Sequence, residues 1–508
     1  MGAGKKRSAV AAVLGGAMVG LTLVACVAAF KMAGGAFTQQ PAAAKEGMSP
    51  AAKALIEAAF EGLPGRRYDD LHVHLLTLGT SAEEGFVNPV MQDPANPIAY
   101  AKYQLYLSAS GIDDEAQADA QYFERLDDQA AHINGAPRLY LLAFDQRYRP
   151  DGSVDIEHSE FHTPNAYAFE LARRDPARYE AVMSVHPYRA DALEALERWA
   201  GQGGRLVKWL PNAMGIDPAD PALDPYYDKM RALGLTLLTH AGEEQAVEAE
   251  ADQALGNPLR LRRALDRGVK VIVAHCASLG EDEDLDDPAR PRVSSFDLWL
   301  RLMEEPRYEG LVFGEISGTT QFNRLGRPLR ELLSRAELHH RLVYASDYPL
   351  PGINALIRTW DLEQEGYLDS DERAALNEIY DYNPLLYDFV LKRTMHHPES
   401  GARFPAQVFA PREAVFGRGI VPAPATAAVA ASPAEGGLEA AEGQPLNAEA
   451  REGEAPAPAL AQDGAEAPPA PKAPLPPEVQ APRVPRGRPV VPPEERGIVP
   501  PPIHPEGR

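Results

Sequence analysis

Eight short apolar runs, separated by segments patterned as helix or loop, dominate the middle of this 508-residue chain. They read "YDDLHVHL", "RLYLLAFD", "EAVMSVHP", "GRLVKWLP", "LTLLTHAG", "VKVIVAHC", "GLVFGEIS" and "RLVYASDYP". Between them, "AYAFELARRDPARY", "RADALEALERWAGQGG" and "PLRELLSRAELHHRL" carry apolar residues at helical spacing. Leu193, Leu196 and Trp199 share one such face before glycines end it. Strands alternating with helices build a parallel sheet covered by helices, and eight such units close into a (β/α)8 TIM barrel. The expected fold class is therefore α/β. The stretch from Thr77 to Pro137 is expected as an insertion after the first strand, helping to roof the barrel mouth.

The chemistry-bearing residues sit at the C-terminal ends of these runs. In a strand, side chains alternate faces, so His72 and His74 point one way while Leu71, Val73 and Leu75 point the other. Two imidazoles on one face can close on a single metal ion. Alone, the pair reads equally well as two ordinary polar residues near a strand end. Lys208 ends the fourth run, His240 the fifth, His275 the sixth and Asp347 the eighth. In a TIM barrel those ends converge on one mouth. Each has a bland reading: Asp347 as a turn residue, His240 satisfying a carbonyl, Lys208 in an ion pair. Six groups gathered on five strand ends are poorly explained by six bland readings.

With these residues in view, the chain resembles the amidohydrolase superfamily. "LHVHL", "VKWLP", "LTHAG", "VIVAHC" and "YASDYPLPG" are similar to its amidohydrolase-related branch, family 2, over about Arg66 to Asn383. The resemblance implies a divalent metal, zinc first, as one or two ions, held by His72, His74, His240 and Asp347. It gives His275 either a second metal or a proton-transfer role, and puts Lys208 where binuclear members carry a carboxylated bridging lysine. An ion held by imidazoles and a carboxylate makes bound water acidic and polarises a carbonyl. Asp347 would then serve as ligand and general base. His186, Arg189, Glu243 and Glu315 are further candidates, expected to contact substrate from the mouth.

The expected activity is hydrolysis of an amide, lactone or ester, on a small-molecule substrate. The runner-up is nonoxidative decarboxylation of an aromatic or related acid. A noncatalytic, membrane-tethered binding protein is the third reading.

The termini are expected to lie apart from the barrel. "MGAGKKR" followed by an uncharged, apolar stretch to Phe30 reads as a membrane anchor or, with "LVAC" ending at Cys26, as a lipoprotein signal with Cys26 lipidated. The KKR flank places the rest of the chain on the extracytoplasmic side. Residues 31–53 read as a linker, 54–405 as the barrel and 406–508 as a disordered Pro/Ala-rich tail. A net charge of −23, with basic residues interspersed among acids, argues against nucleic-acid binding. Cys26 and Cys276 are the only cysteines, so no structural disulfide is expected.

Overall fold

The computed structural model describes residues 39–412, except residue 83, together with Phe416. All eight apolar runs contain strands: β1 (Arg67–His74), β2 (Ala136–Leu142), β3 (Tyr179–Val182), β4 (Leu206–Trp209), β5 (Thr236–Thr239), β6 (Lys270–Val273), β7 (Val312–Glu315) and β8 (Leu342–Val343). They pair in parallel, β1 through β3 in one ladder and β4 through β8 in another. Two seams close the ring. Met183, just beyond β3, bridges Val207 of β4. Across the other seam, Leu71 N donates to Tyr344 O at 3.3 Å and His74 N to Tyr348 O at 2.9 Å. The architecture is α/β and TIM-barrel-like, with helices such as Asn165–Arg174, Ala192–Gly201 and Ser295–Glu304 packed outside.

Inside the ring, Leu71, Tyr140, Val182, Leu238, Ile272 and Phe313 are among the buried side chains of one apolar cluster. Leu71 was expected to face away with Val73 and Leu75, but only those two belong to the outer core between strands and helices. The register of β1 against β2 shifts between Asp70 and Val73. Such an irregularity breaks the two-residue period. It lets Leu71 fill the barrel interior while His72 and His74 face the mouth above it.

Both domain edges differ from expectation. Within the expected linker, Ala44–Gly47 and Pro50–Ala59 are helical. Ser49 caps the second helix, and its N and Oγ each donate to the Glu378 carboxylate at 2.6 Å. At the other end, order continues past residue 405. Tyr344 N donates to Val408 O at 2.8 Å and Asp69 N to Phe409 O at 3.0 Å, so this segment lies across the start of β1 and β8. Phe416 joins the interior cluster and meets the Phe313 ring edge-on at 5.5 Å. Tertiary contacts, not local composition, order these ends. The expected N-terminal anchor, Cys26 and nearly all of the tail lie outside the described residues. Among the described residues, no helix is long and apolar enough to cross a membrane.

Candidate metal centre and active site

Three ligand atoms meet at the mouth. His72 Nε2 and His74 Nε2 are 3.1 Å apart, and each lies 3.3 Å from Asp347 Oδ1. An ion with bonds of 2.0–2.1 Å in tetrahedral geometry needs ligand–ligand edges of about 3.3 Å. The triangle has that size, and the donor set of two imidazoles and a carboxylate suits zinc and other divalent first-row ions.

The tautomers agree with this use. His72 Nδ1 donates to Glu315 Oε1 at 3.1 Å, which leaves the Nε2 lone pair facing the triangle. Burial, reinforced by Lys208, holds the His72 imidazole well below its ordinary value, so the ring is neutral. Burial raises the Asp347 carboxyl, but the His72 and His74 imidazoles against it and the Lys208 ammonium beyond them outweigh that and hold the group ionised.

Glu315 was expected to touch substrate. Instead it is fully buried at the end of β7, behind the triangle. Its carboxylate accepts from His72 Nδ1, His275 N (2.9 Å), Ser317 N (2.6 Å) and Ser317 Oγ (2.7 Å). Ser317 Oγ lies 2.7 Å from His275 Nδ1, so a chain runs from His275 Nδ1–H through the serine hydroxyl to Glu315. That leaves His275 Nε2 bare and 3.9 Å from Asp347 Oδ2.

Local backbone strain accompanies this geometry. His275, Cys276 and Ala277 have φ of 54°, 51° and 49°, and Asp347 has φ of 63°. Left-handed backbone costs non-glycine residues about 1–2 kcal/mol each. Strain of this kind gathers where a side chain must be aimed, and here it follows directly on β6 and β8. Cys276 is a free, buried thiol that packs in the core.

Lys208 and His240 share the cavity but not the triangle. Lys208 Nζ lies 3.0 Å from His72 Nε2, and burial pushes its ammonium down to about 8. His240 was grouped with the ligands. Its Nε2 lies 3.3 Å from the Glu243 carbonyl and its Nδ1 3.4 Å from Glu244 Oε2, so its nitrogens are engaged beside the triangle. Among the described residues, the ligand atoms that converge are those of His72, His74 and Asp347.

The other expected substrate contacts do not line the inner cavity. His186 is buried, with Nε2 donating to Met214 O at 2.9 Å and Nδ1 accepting from Tyr188 N at 3.2 Å. Arg189 pairs with Asp145 and Asp191. The Glu243 side chain belongs to an outer cleft. His339 is buried outside the cavity, with Nε2 on Leu332 O.

Residues that the sequence reading passed over take their place. Glu244 lines the cavity beside His240, and its Oε1 also accepts from Val247 N at 2.9 Å. Tyr106, on helix Pro97–Ser110 of the insertion, lines the roof. Burial depresses the His275 and His240 imidazoles, and the buried Arg324 nearby adds to that. Glu244 adjoins Glu243, which was singled out, and Arg324 follows the seventh run within ten residues of Glu315. Only tertiary placement separates them from their neighbours.

A TIM-barrel-like fold whose mouth gathers imidazoles and a carboxylate on separate strand ends defines a class of barrel enzyme. The family model described as amidohydrolase matches residues 69–384, more than half of the chain, and the chain belongs to that family, in its family 2 branch. No curated protein sequence matches it. Solved structures similar to it include an uncharacterised TIM-barrel protein from Bordetella bronchiseptica, at 14% identity over 62% of this chain and 95% of that one, TM-score 0.40. Another is 5-carboxyvanillate decarboxylase from Sphingomonas paucimobilis, at 13% identity over 70% and 99%, TM-score 0.36. A third is 4-oxalomesaconate hydratase from Rhodopseudomonas palustris, at 12% identity over 69% and 95%, TM-score 0.33.

Proposed function

We propose that this protein is a metal-dependent hydrolase that cleaves an ester, lactone or amide of a small molecule at the mouth of its barrel. The observation that carries the reading is the triangle of His72 Nε2, His74 Nε2 and Asp347 Oδ1, with edges of 3.1–3.3 Å under an open cavity. A divalent cation bound there, zinc or a similar ion, supplies Lewis acidity: it polarises a carbonyl and makes water acidic.

The chain's own residues do the rest. Asp347 Oδ2, on the side away from the triangle, takes a proton from the attacking water. His275 Nε2, 3.9 Å from that oxygen, takes up the proton and delivers it to the leaving oxygen or nitrogen. The new bond joins the water oxygen to the acyl carbon as the acyl–O or acyl–N bond breaks. Glu315 keeps His72 and His275 in the tautomers this requires. Lys208 neutralises negative charge that develops on the carbonyl oxygen. One ion accounts for the converging ligands; a second would call on His275 and a carboxylated Lys208.

The test is metal analysis of the purified protein beside a product assay on esters, lactones, amides and aromatic acids in 18O-labelled water. Label in a product carboxylate supports hydrolysis. Carbon dioxide release without label overturns it in favour of decarboxylation. The reading includes an N-terminal membrane tether on the extracytoplasmic side, supported by the KKR flank and the apolar run to Phe30. Recovery of the full chain in the cytosolic fraction would overturn that part.

A further inference from the structure

We infer, resting on the hydrolase reading, that the substrate is an uncharged molecule with a hydrocarbon acyl or ring portion, and that the site rejects anionic substrates. The inference comes from the walls of the site, not from its floor.

The cavity above the triangle has a volume of about 100 Å³. Apart from Glu160, shared with the outer cleft, and the hydroxyls of Tyr103 and Tyr106, its polar groups are concentrated below: the triangle, Lys208, His240, His275 and Glu244. Its roof and sides are Leu78, Met91, Leu107, Ile112, Phe161 and Leu210, among others. Most of that roof comes from the insertion after β1. Among the described residues, Lys208 is the only Lys or Arg in the lining, and it lies on the floor at 3.0 Å from His72 Nε2. The two wall hydroxyls are committed elsewhere. Tyr103 donates to Glu115 at 3.0 Å and Tyr106 to the Ala246 carbonyl at 2.9 Å. A carboxylate carried away from the reacting carbonyl would therefore be buried against hydrocarbon with no donor, a costly arrangement. A methyl or methylene chain in the same place loses only water.

The approach to the cavity has the same bias. An outer cleft of about 810 Å³ shares Glu160, Glu244 and Val247 with the inner cavity, which makes it the vestibule. Among the described residues, seven carboxylates and two cationic side chains line it. One cation, Lys102, is held by Glu160 at 2.8 Å. Glu248 and Glu250 stand exposed on the rim. A cleft lined by one sign of charge lowers the local concentration of ligands of that sign. An anion is thus disfavoured twice, on entry and on burial, while a neutral molecule meets neither barrier. The vestibule also weighs against the decarboxylation alternative, whose substrate arrives as a carboxylate.

The experiment uses three hydroxamic acids of equal chain length, ending in methyl, trimethylammonium or carboxylate, titrated by calorimetry into the full-length zinc-loaded protein. Three matched chromogenic esters with the same tails are assayed in parallel. Binding should fall from methyl through trimethylammonium to carboxylate, the last about 100-fold weaker than the first. For esters that are turned over, kcat/KM should follow the same order. Glu248→Lys with Glu250→Lys should raise kon for the carboxylate-tailed hydroxamate about tenfold at low salt, and the gain should vanish at about 0.5 M salt. Carboxylate binding as tight as methyl, or no binding by any of the three, overturns the inference. The expected binding order with no ester, lactone or amide cleaved would leave the substrate class standing and remove the hydrolase reading instead.

Discussion

Glu315→Gln separates a residue that holds the metal ligands from one that holds substrate. The carboxylate is fully buried and accepts four hydrogen bonds. Oε1 takes those from His72 Nδ1, His275 N and Ser317 Oγ, and Oε2 takes that from Ser317 N. A glutamine has one acceptor oxygen. If it takes the Oε1 position, its amide group faces the Ser317 N–H; if it turns over, the amide faces His275 N–H and His72 Nδ1–H. Either way at least one buried donor loses its acceptor, at about 1–3 kcal/mol each. Removing a carboxylate behind a ligating histidine also weakens metal binding about 10–100-fold. The variant should therefore unfold at lower urea concentration by about 2 kcal/mol. Its zinc Kd, measured by competition with a chromophoric chelator, should rise by one to two orders of magnitude. With zinc saturating, KM should stay close to wild type, because Glu315 is sealed behind the triangle. Unchanged metal affinity with a raised KM would refute this reasoning and return Glu315 to the substrate.

His72→Ala and His74→Ala should each lose most bound metal and nearly all turnover, whereas Asp347→Asn should retain part of the metal and lose about 10²–10⁴-fold in kcat; full occupancy in both histidine variants, by plasma emission spectrometry, would remove the metal centre. Burial pushes the His186 imidazole from 6.5 down to about 4. The unfolded chain then binds a proton that the folded chain resists, so this contribution is fully present above about pH 6.5 and is lost as pH falls towards 4, by up to about 3 kcal/mol. His186→Gln should flatten that slope in urea unfolding between pH 7.5 and 5, and parallel curves would count against the assignment. Ending the chain after Pro405 removes the buried Val408, Phe409 and Phe416 and should cost several kcal/mol at about 2 kcal/mol per side chain. Ending it after Phe416 should leave Tm nearly unchanged, and equal stabilities for the two truncations would show that the segment over β1 and β8 does not brace the barrel.

The strands and the triangle were legible because both follow from a period of two and from where polar residues interrupt it. His72, His74, Lys208, His240, His275 and Asp347 lie on or just past strand ends, and a closed barrel must bring strand ends together. What the period does not encode is depth. Glu315 and His186 also end their runs, yet Glu315 points beneath the ligands, and His186 is covered by the short helix Pro211–Met214. His240 reaches the mouth, but its ring nitrogens are drawn towards Glu243 and Glu244, one turn of chain away. The slip in β1 was equally hidden, since "DLHVH" alternates cleanly on paper. The shift appears only when Asp70 and Val73 are paired with β2.

The domain edges and the cavity wall failed to show for a different reason. Ser49 gains order from Glu378, more than three hundred residues away, and Val408 from Tyr344. No local composition reports such contacts, so "PAAAKEGMSPAAK" reads as a spacer although much of it is helical. The wall is the same case. That the insertion would roof the site followed from its place after the first strand. That its inward residues would be Leu78, Met91, Leu107 and Ile112, with its tyrosine hydroxyls turned to Glu115 and Ala246, depended on how the insertion folds back. The floor of the site is set by strand ends that every barrel of this topology must present. The wall is set by a segment free to vary without disturbing closure. Selectivity among substrates therefore resides in the part of the chain least readable from its pattern, and the three-tailed hydroxamate series probes that part directly.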